Sequence, residues 1–302
     1  MRIPRVSRSP MIVVGCMTAI ETNLVEQPVE AEADELVIRP VRGWIGVDWA
    51  EILRYRELLY FLMWRDLKVR YKQTVLGVAW AVLQPLFNMF LFLMITKVAN
   101  IDWGKERPEL CIYAGLLPWT FFSTGVNLGG LSLINQAHLL TKVYFPRLFV
   151  PTASIAVGLV DMAMSMGMFA VLLVWFHVPP SWQIVFVPGL VVLALMATLG
   201  LGYLLASLTV SYRDFRYVIP FLVQGMMLAS AVMFPLSNVP QDKQWLLALN
   251  PMVGIVDGFR SAMLGRPWNF QVLGISSGVT VLMFIVGLYY FRKTERKFAD
   301  IA

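Results

Sequence analysis

A few side chains in this sequence sit where burial or clustering demands a reason. Asp161 falls about midway along a long apolar run. A carboxylate there is costly and must face the protein interior or a wet cavity. Two roles fit it: a hydrophilic lining for a polar substrate, or a hydrogen-bonded packing contact with a neighbouring helix. It has no His, Lys or Arg in the interior of the apolar runs to relay a proton, which argues against a proton pump. Arg65, Lys68, Arg70 and Lys72 cluster just ahead of the first apolar run, where cations attract anionic headgroups. Asp66 and Asp214 are single carboxylates within basic runs, so no acid–base pair for a transferase is present. His138 and His177 lie near the ends of apolar runs without partners at ligand spacing, and Cys16 and Cys111 are far apart. Neither a metal site nor a disulfide framework is indicated. No G-x-x-x-x-G-K-[ST] loop occurs, so the chain lacks this means of binding ATP, and no cofactor is expected.

The elements that must hold these residues follow from composition. The 302 residues are 58% hydrophobic and 15% charged, with a mean hydropathy of +0.66. Soluble domains carry about 25% charged residues, so lipid is the expected solvent for much of this surface. Each spanning helix needs roughly 20 apolar residues. Six stretches qualify: Leu76–Ala99, Cys111–Ile134, Leu148–Phe176, Ile184–Val210, Val218–Leu236 and Phe270–Phe291. The expected fold is an all-α polytopic membrane protein. Fourteen Lys and Arg flank the spans on one side against six on the other, so both termini are expected in the cytoplasm. The net charge of +6 follows this flanking pattern, and nucleic acid is not an expected partner.

Three further regions are assigned. Residues 1–47, with a short apolar stretch Met11–Ile20 followed by an acidic run, read as a cytoplasmic tail without stable structure. Residues 48–72 read as an amphipathic interface helix leading into a six-span domain over 73–302. Ile52, Leu59, Tyr60, Met63 and Leu67 fall on one face of that helix, with Arg54, Arg65, Lys68 and Lys72 on the other. Arg56, Asp66 and Arg70 break the pattern. Such a helix lies along the bilayer surface in contact with membrane lipids, either as a plain anchor or as a collar that gathers an anionic, lipid-linked substrate. Trp245–Gly265 is interrupted by Asn250-Pro251, which predicts two short helices that dip into the membrane and return. The segment Asn135–Arg147 is longer than a turn requires and predicts a short helix protruding on the cytoplasmic side. Trp80, Phe87, Phe90, Trp119 and Phe122 are candidates to line a path for sugars, as is Asp161. The pairs Gly125/Gly129 and Gly274/Gly278 permit close helix packing.

Five blocks carry a resemblance. Trp64-Arg-Asp-Leu-Lys-Val-Arg-Tyr-Lys-Gln-Thr-Val-Leu-Gly-Val-Ala-Trp-Ala-Val-Leu-Gln-Pro85 is the most specific. It is followed by Gly115-Leu-Leu-Pro-Trp-Thr120, Lys142-Val-Tyr-Phe-Pro-Arg147, Ser211-Tyr-Arg-Asp-Phe-Arg216 and Asn250-Pro-Met-Val-Gly-Ile-Val-Asp-Gly-Phe-Arg260. In this order, over about residues 40 to 300, they resemble the ABC-2 family of polysaccharide and polyol-phosphate export permeases. The resemblance implies an interface helix, six spans with re-entrant helices between the fifth and sixth, a homodimer around a channel, and a separate ATPase subunit that binds the ATP. It places ATPase coupling at Lys142, Tyr144, Phe145 and Arg147. It places entry of a polyprenyl-pyrophosphate head group, carrying its glycan, at Arg65, Lys68, Arg70 and Lys72. The acidic tail departs from the family pattern.

The resulting expectation is a permease subunit in the inner membrane that exports a lipid-linked polysaccharide of O-antigen type. A teichoic-acid or capsule permease is the alternative, and a drug or lipid exporter of the same superfamily a more distant one. A secondary transporter would show paired intramembrane charges or an inverted repeat, and neither is present.

Overall fold

The structure is a computed structural model that describes residues 54–72, 77, 79–104, 106–137 and 145–295. The tail, Ile52, Lys142 and Tyr144 lie outside the described residues. Among the described residues all regular structure is helical: α1 (Arg56–Lys72), α2 (Ala79–Val98), α3 (Pro108–Asn135), α4 (Phe149–Trp175), α5 (Val187–Ser211), α6 (Phe215–Leu228), α7 (Gln241–Ala248), α8 (Pro251–Leu264) and α9 (Phe270–Glu295). Short 3₁₀ turns at Trp182–Phe186 and Leu236–Asn238 introduce α5 and α7.

Four helical stretches are long and apolar enough to cross a membrane: α2, α4, Trp182–Ser211 and α9. The second expected span corresponds to α3, which has 28 residues. At about 1.5 Å per residue that is roughly 42 Å, more than a bilayer core of about 30 Å. Its Thr120, Ser123, Thr124 and Asn127 hydroxyls and amide turn back to carbonyls of their own helix or lie half-buried, so its polarity is spent internally. α3 is the axis of the bundle, packed against α4 and α5 most extensively and against α2, α6 and α8 as well. Gly125 and Gly129 allow this. A Cβ on Gly125 would meet the Thr198 methyl at 2.5 Å, and one on Gly129 would meet Ile155 at 2.7 Å. The second expected glycine pair behaves differently: Gly274 and Gly278 have no atom within 4 Å of a built Cβ.

The fifth expected span, Val218–Leu236, is cut short. α6 has 14 residues, about 21 Å of helix. The chain then turns through Ser230 and Ala231, the latter at φ 55, before Pro235 and the 3₁₀ turn. Arg260 from α8 captures the carbonyls freed by this break. Asn250-Pro251 separates two helices as expected: Pro251 occupies the first turn of α8, and the Asn250 side chain accepts from the Met252 N–H at 3.1 Å. Gly265, at φ 72, closes α8 in the left-handed conformation that glycine adopts at least cost.

The C-termini of α3, α5 and α9 and the N-termini of α4 and α6 share one end; α1 starts there, and its last turn reaches the middle of α4. A buried cluster forms there from Leu62, Phe145, Phe149, Tyr203 and Phe291, with Leu58, Leu59 and Met63 of α1 packed against it. The inward face of α1 is therefore Leu58-Leu59-Leu62-Met63-Asp66-Arg70. Tyr60, assigned to the apolar face from sequence, is exposed, together with Phe61, Trp64 and Val69. The polar pattern-breakers Asp66 and Arg70 turn inward because each has a partner there.

Candidate functional site

The site is built at the basic end, where α1 meets α3 and α4. Asp66 is the first centre. Arg65 donates to its Oδ1 from Nε at 3.0 Å and from a terminal nitrogen at 2.7 Å, and that same nitrogen donates to Gln136 Oε1 at 2.7 Å. Gln136 Nε2 and Ser154 Oγ each donate to Asp66 Oδ2 at 3.3 Å. Arg65 thus has its charge matched and its fork engaged. It braces α1 against the end of α3 and the start of α4.

Asp161 is the second centre. Arg70 approaches its carboxylate at 2.7 Å, and the Tyr71 hydroxyl donates to its other oxygen. Burial, reinforced by that carboxylate, pushes the Tyr71 phenol far above its ordinary range, so it stays a proton donor. The mid-helix carboxylate is satisfied by the last turn of α1, which answers the cost of placing it in an apolar run. One step further in, Ser165 donates to the Ala81 carbonyl at 2.9 Å, pinning α4 to the start of α2. A pocket of about 220 Å³ opens beside this pair, with Trp80 on its wall.

The four cations of the expected head-group entry therefore divide. Arg65 and Arg70 are half-buried and paired with carboxylates. Lys68 and Lys72 are exposed, Lys68 with its Nζ 5.2 Å from the Trp64 ring centroid.

Of the four expected coupling residues, two are described. Phe145 is buried in the cluster beneath α1, and Arg147 donates to the Glu295 carbonyl at 3.0 Å. Both tie the end of the segment to the bundle, joining it to α1, α4 and α9. The expected lining aromatics also divide. Trp119 and Phe122 are packed inside the chain with ring centroids 5.6 Å apart, whereas Trp80, Phe87 and Phe90 are exposed on α2. Among the described residues no three His, Cys, Asp or Glu side chains gather as a metal site.

One residue escaped sequence reasoning. Arg260 is fully buried at the opposite end of the bundle. It donates to the carbonyls of Cys111 at 3.0 Å, Ala231 at 2.9 Å, Phe234 at 3.2 Å and Val232 at 2.7 Å, and lies 5.4 Å from the Trp103 ring centroid. A Cβ on Gly115 would stand 3.0 Å from its guanidinium, so Gly115 is needed to admit it. The signal in the sequence was an arginine within an otherwise apolar stretch.

Comparison with known proteins completes the picture. The sequence pattern of the family described as ABC-2 type transporter matches residues 57–264. Over 253 residues the chain is 30% identical to the O-antigen export system permease protein RfbA of Myxococcus xanthus, covering 83% of this chain and 97% of that one. The same-named protein of Klebsiella pneumoniae is 23% identical over 81% of this chain and 95% of its own length. The polysialic acid transport protein KpsM of Escherichia coli is 23% identical over 78% and 92% respectively. With its family pattern spanning α1 to α8 and its relatives matched almost end to end, this chain belongs to the ABC-2 type transporter family.

Proposed function

We propose that this chain is the membrane-spanning permease subunit of an ABC exporter that moves a lipid-linked polysaccharide of O-antigen type out of the cytoplasm across the inner membrane. The observation that carries this reading is the nearly full-length match to permeases named for O-antigen export, seated on a helix α1 that is braced from within and basic on its outside. α2, α3, α4, Trp182–Ser211, α6 and α9 are the six spans. α1 lies along the cytoplasmic interface, and α7 and α8 form the re-entrant pair. α6 is short for a span, and the irregular stretch held by Arg260 completes its passage.

Within α1 the work is divided. Asp66 and Asp161 hold Arg65 and Arg70 as braces, and the exposed Lys68 and Lys72 meet the pyrophosphate of a polyprenyl-linked glycan. Exposed Phe87 and Phe90 on α2 face a channel completed by a second copy of the chain. A separate ATPase subunit binds the ATP and docks on the segment containing Lys142 and Tyr144, whose far end Phe145 and Arg147 fasten to the bundle. A capsule polysaccharide is the second reading, favoured by the match to the capsule polysaccharide export inner-membrane protein CtrC of Neisseria meningitidis.

The test is reconstitution of the chain with an ABC ATPase subunit in proteoliposomes. Polyprenyl-pyrophosphate-linked saccharide should stimulate ATP hydrolysis and become accessible on the far side. Absence of both would defeat the reading, and stimulation by capsule precursors alone would select the second one.

A further inference from the structure

The pocket beside Asp161 has a composition that the basic collar does not explain. It encloses about 220 Å³, bounded by Arg70 and Asp161, by Trp80 and Gln84 of α2, and by Thr120 and Thr124 of α3. Pockets for drug-sized ligands run about 300–1,000 Å³, so this one has room for a single small ring. Its charges cancel, because Arg70 and Asp161 face each other at 2.7 Å. A phosphate entering here would meet a carboxylate beside the guanidinium and gain little.

The remaining groups suit hydroxyls instead. A carboxylate has about four lone-pair sites, and the Asp161 oxygens spend only some of them on Arg70 and Tyr71. Thr120 donates to the Leu116 carbonyl at 2.5 Å, with the Leu117 carbonyl at 3.2 Å, and keeps its lone pairs for an incoming donor. Gln84 offers both an acceptor and two donors on an exposed turn of α2. Trp80, half-exposed, presents a flat apolar face. A pyranose is the complement of this set, with an apolar C–H face and a rim of hydroxyls. The pocket also lies one residue from Lys72. A glycan whose lipid phosphate rests on Lys68 and Lys72 would bring its first sugars to Trp80.

We propose that this pocket binds one uncharged sugar ring, stacked on Trp80 and hydrogen-bonded through Asp161, Gln84 and the α3 threonines. The site rests on the polysaccharide reading and deepens it: the chain would recognise sugar here, apart from the lipid phosphate on the collar.

The experiment uses the full chain in lipid nanodiscs and saturation-transfer NMR. The probes are the methyl glycosides of glucose, rhamnose and N-acetylglucosamine, with inorganic pyrophosphate as the charged competitor. At least one glycoside should bind and resist displacement by pyrophosphate. Trp80→Ala should weaken binding by at least about tenfold, or about 1.4 kcal/mol, and Trp80→Phe should restore most of it. Gln84→Leu, on an exposed turn, should weaken it without affecting folding. Binding by none of the glycosides, equal binding by Trp80→Ala, or displacement by pyrophosphate would each overturn the proposal. Deleting the gene separates the two readings. If surface polysaccharide is lost but the purified chain binds no glycoside, export stands and the pocket falls. If surface polysaccharide is unchanged, export falls and the sugar-binding premise of the pocket falls with it.

Discussion

The Arg70 guanidinium lies 2.7 Å from the Asp161 carboxylate, joining the last turn of α1 to the middle of α4. From sequence alone these residues belong to separate candidate features, a headgroup collar and a channel wall. The fold uses each to neutralise the other, and Tyr71 adds a hydrogen bond to the same carboxylate.

This pairing predicts a coupled mutational response. Asp161→Ala or Arg70→Ala alone strands a half-buried charge and should cost about 1–3 kcal/mol. The double variant should lose clearly less than the sum of the two. Thermal unfolding in detergent measures all three, and strictly additive losses would show that the two side chains act independently.

Arg260 should be intolerant of replacement. Its guanidinium holds three backbone carbonyls that α6 leaves behind when it ends at Leu228, those of Ala231, Val232 and Phe234, together with the Cys111 carbonyl of α3. Arg260→Met should cost about 3–5 kcal/mol, the order seen when a buried network loses its charged partner. Arg260→Lys should rescue little, because a single ammonium cannot reproduce the planar fork. Folded yield and hydrogen exchange at residues 229–235 report the effect; normal protection there in Arg260→Met would refute it.

Glycines in α9 should divide sharply. A Cβ on Gly287 would stand 2.0 Å from the Gly200 carbonyl oxygen, so Gly287→Ala must separate α5 from α9 and should destabilise by at least about 1–3 kcal/mol. Gly278→Ala meets nothing within 4 Å inside the chain and should stay within about 0.5 kcal/mol. Thermal stability of the two variants, measured in the same detergent, decides the matter. Equal losses would contradict the packing described.

The coupling segment should separate into docking and anchoring parts. Phe145→Ala removes a buried ring from the cluster under α1 and should cost about 3–5 kcal/mol. Lys142→Glu with Tyr144→Ala should leave folded yield intact and reduce capture of the ATPase subunit. Pull-down normalised to folded protein separates the two, and undiminished capture by the double variant would remove those residues from the docking surface.

What was legible in the sequence was local. Asn250-Pro251 announces a helix break because capping and the missing proline N–H act within one turn. Apolar length announces α2, α4, α5 and α9 for the same reason. Partners far along the chain were hidden. Asp66 and Arg70 only spoiled an amphipathic pattern until Gln136, Ser154 and Asp161 came alongside them. Gly125/Gly129 and Gly274/Gly278 share one spacing, yet only the first pair meets a neighbouring helix within the chain. The early end of α6 was hidden too, since it depends on an arginine about thirty residues later.

The most direct test of polysaccharide export is the fate of the polymer in cells lacking this chain. Deletion should abolish surface polysaccharide and leave lipid-linked polymer accumulating in the cytoplasm. The wild-type gene should restore export, and a Lys68→Glu/Lys72→Glu variant that still inserts in the membrane should not. Surface polysaccharide unchanged by the deletion would contradict the account.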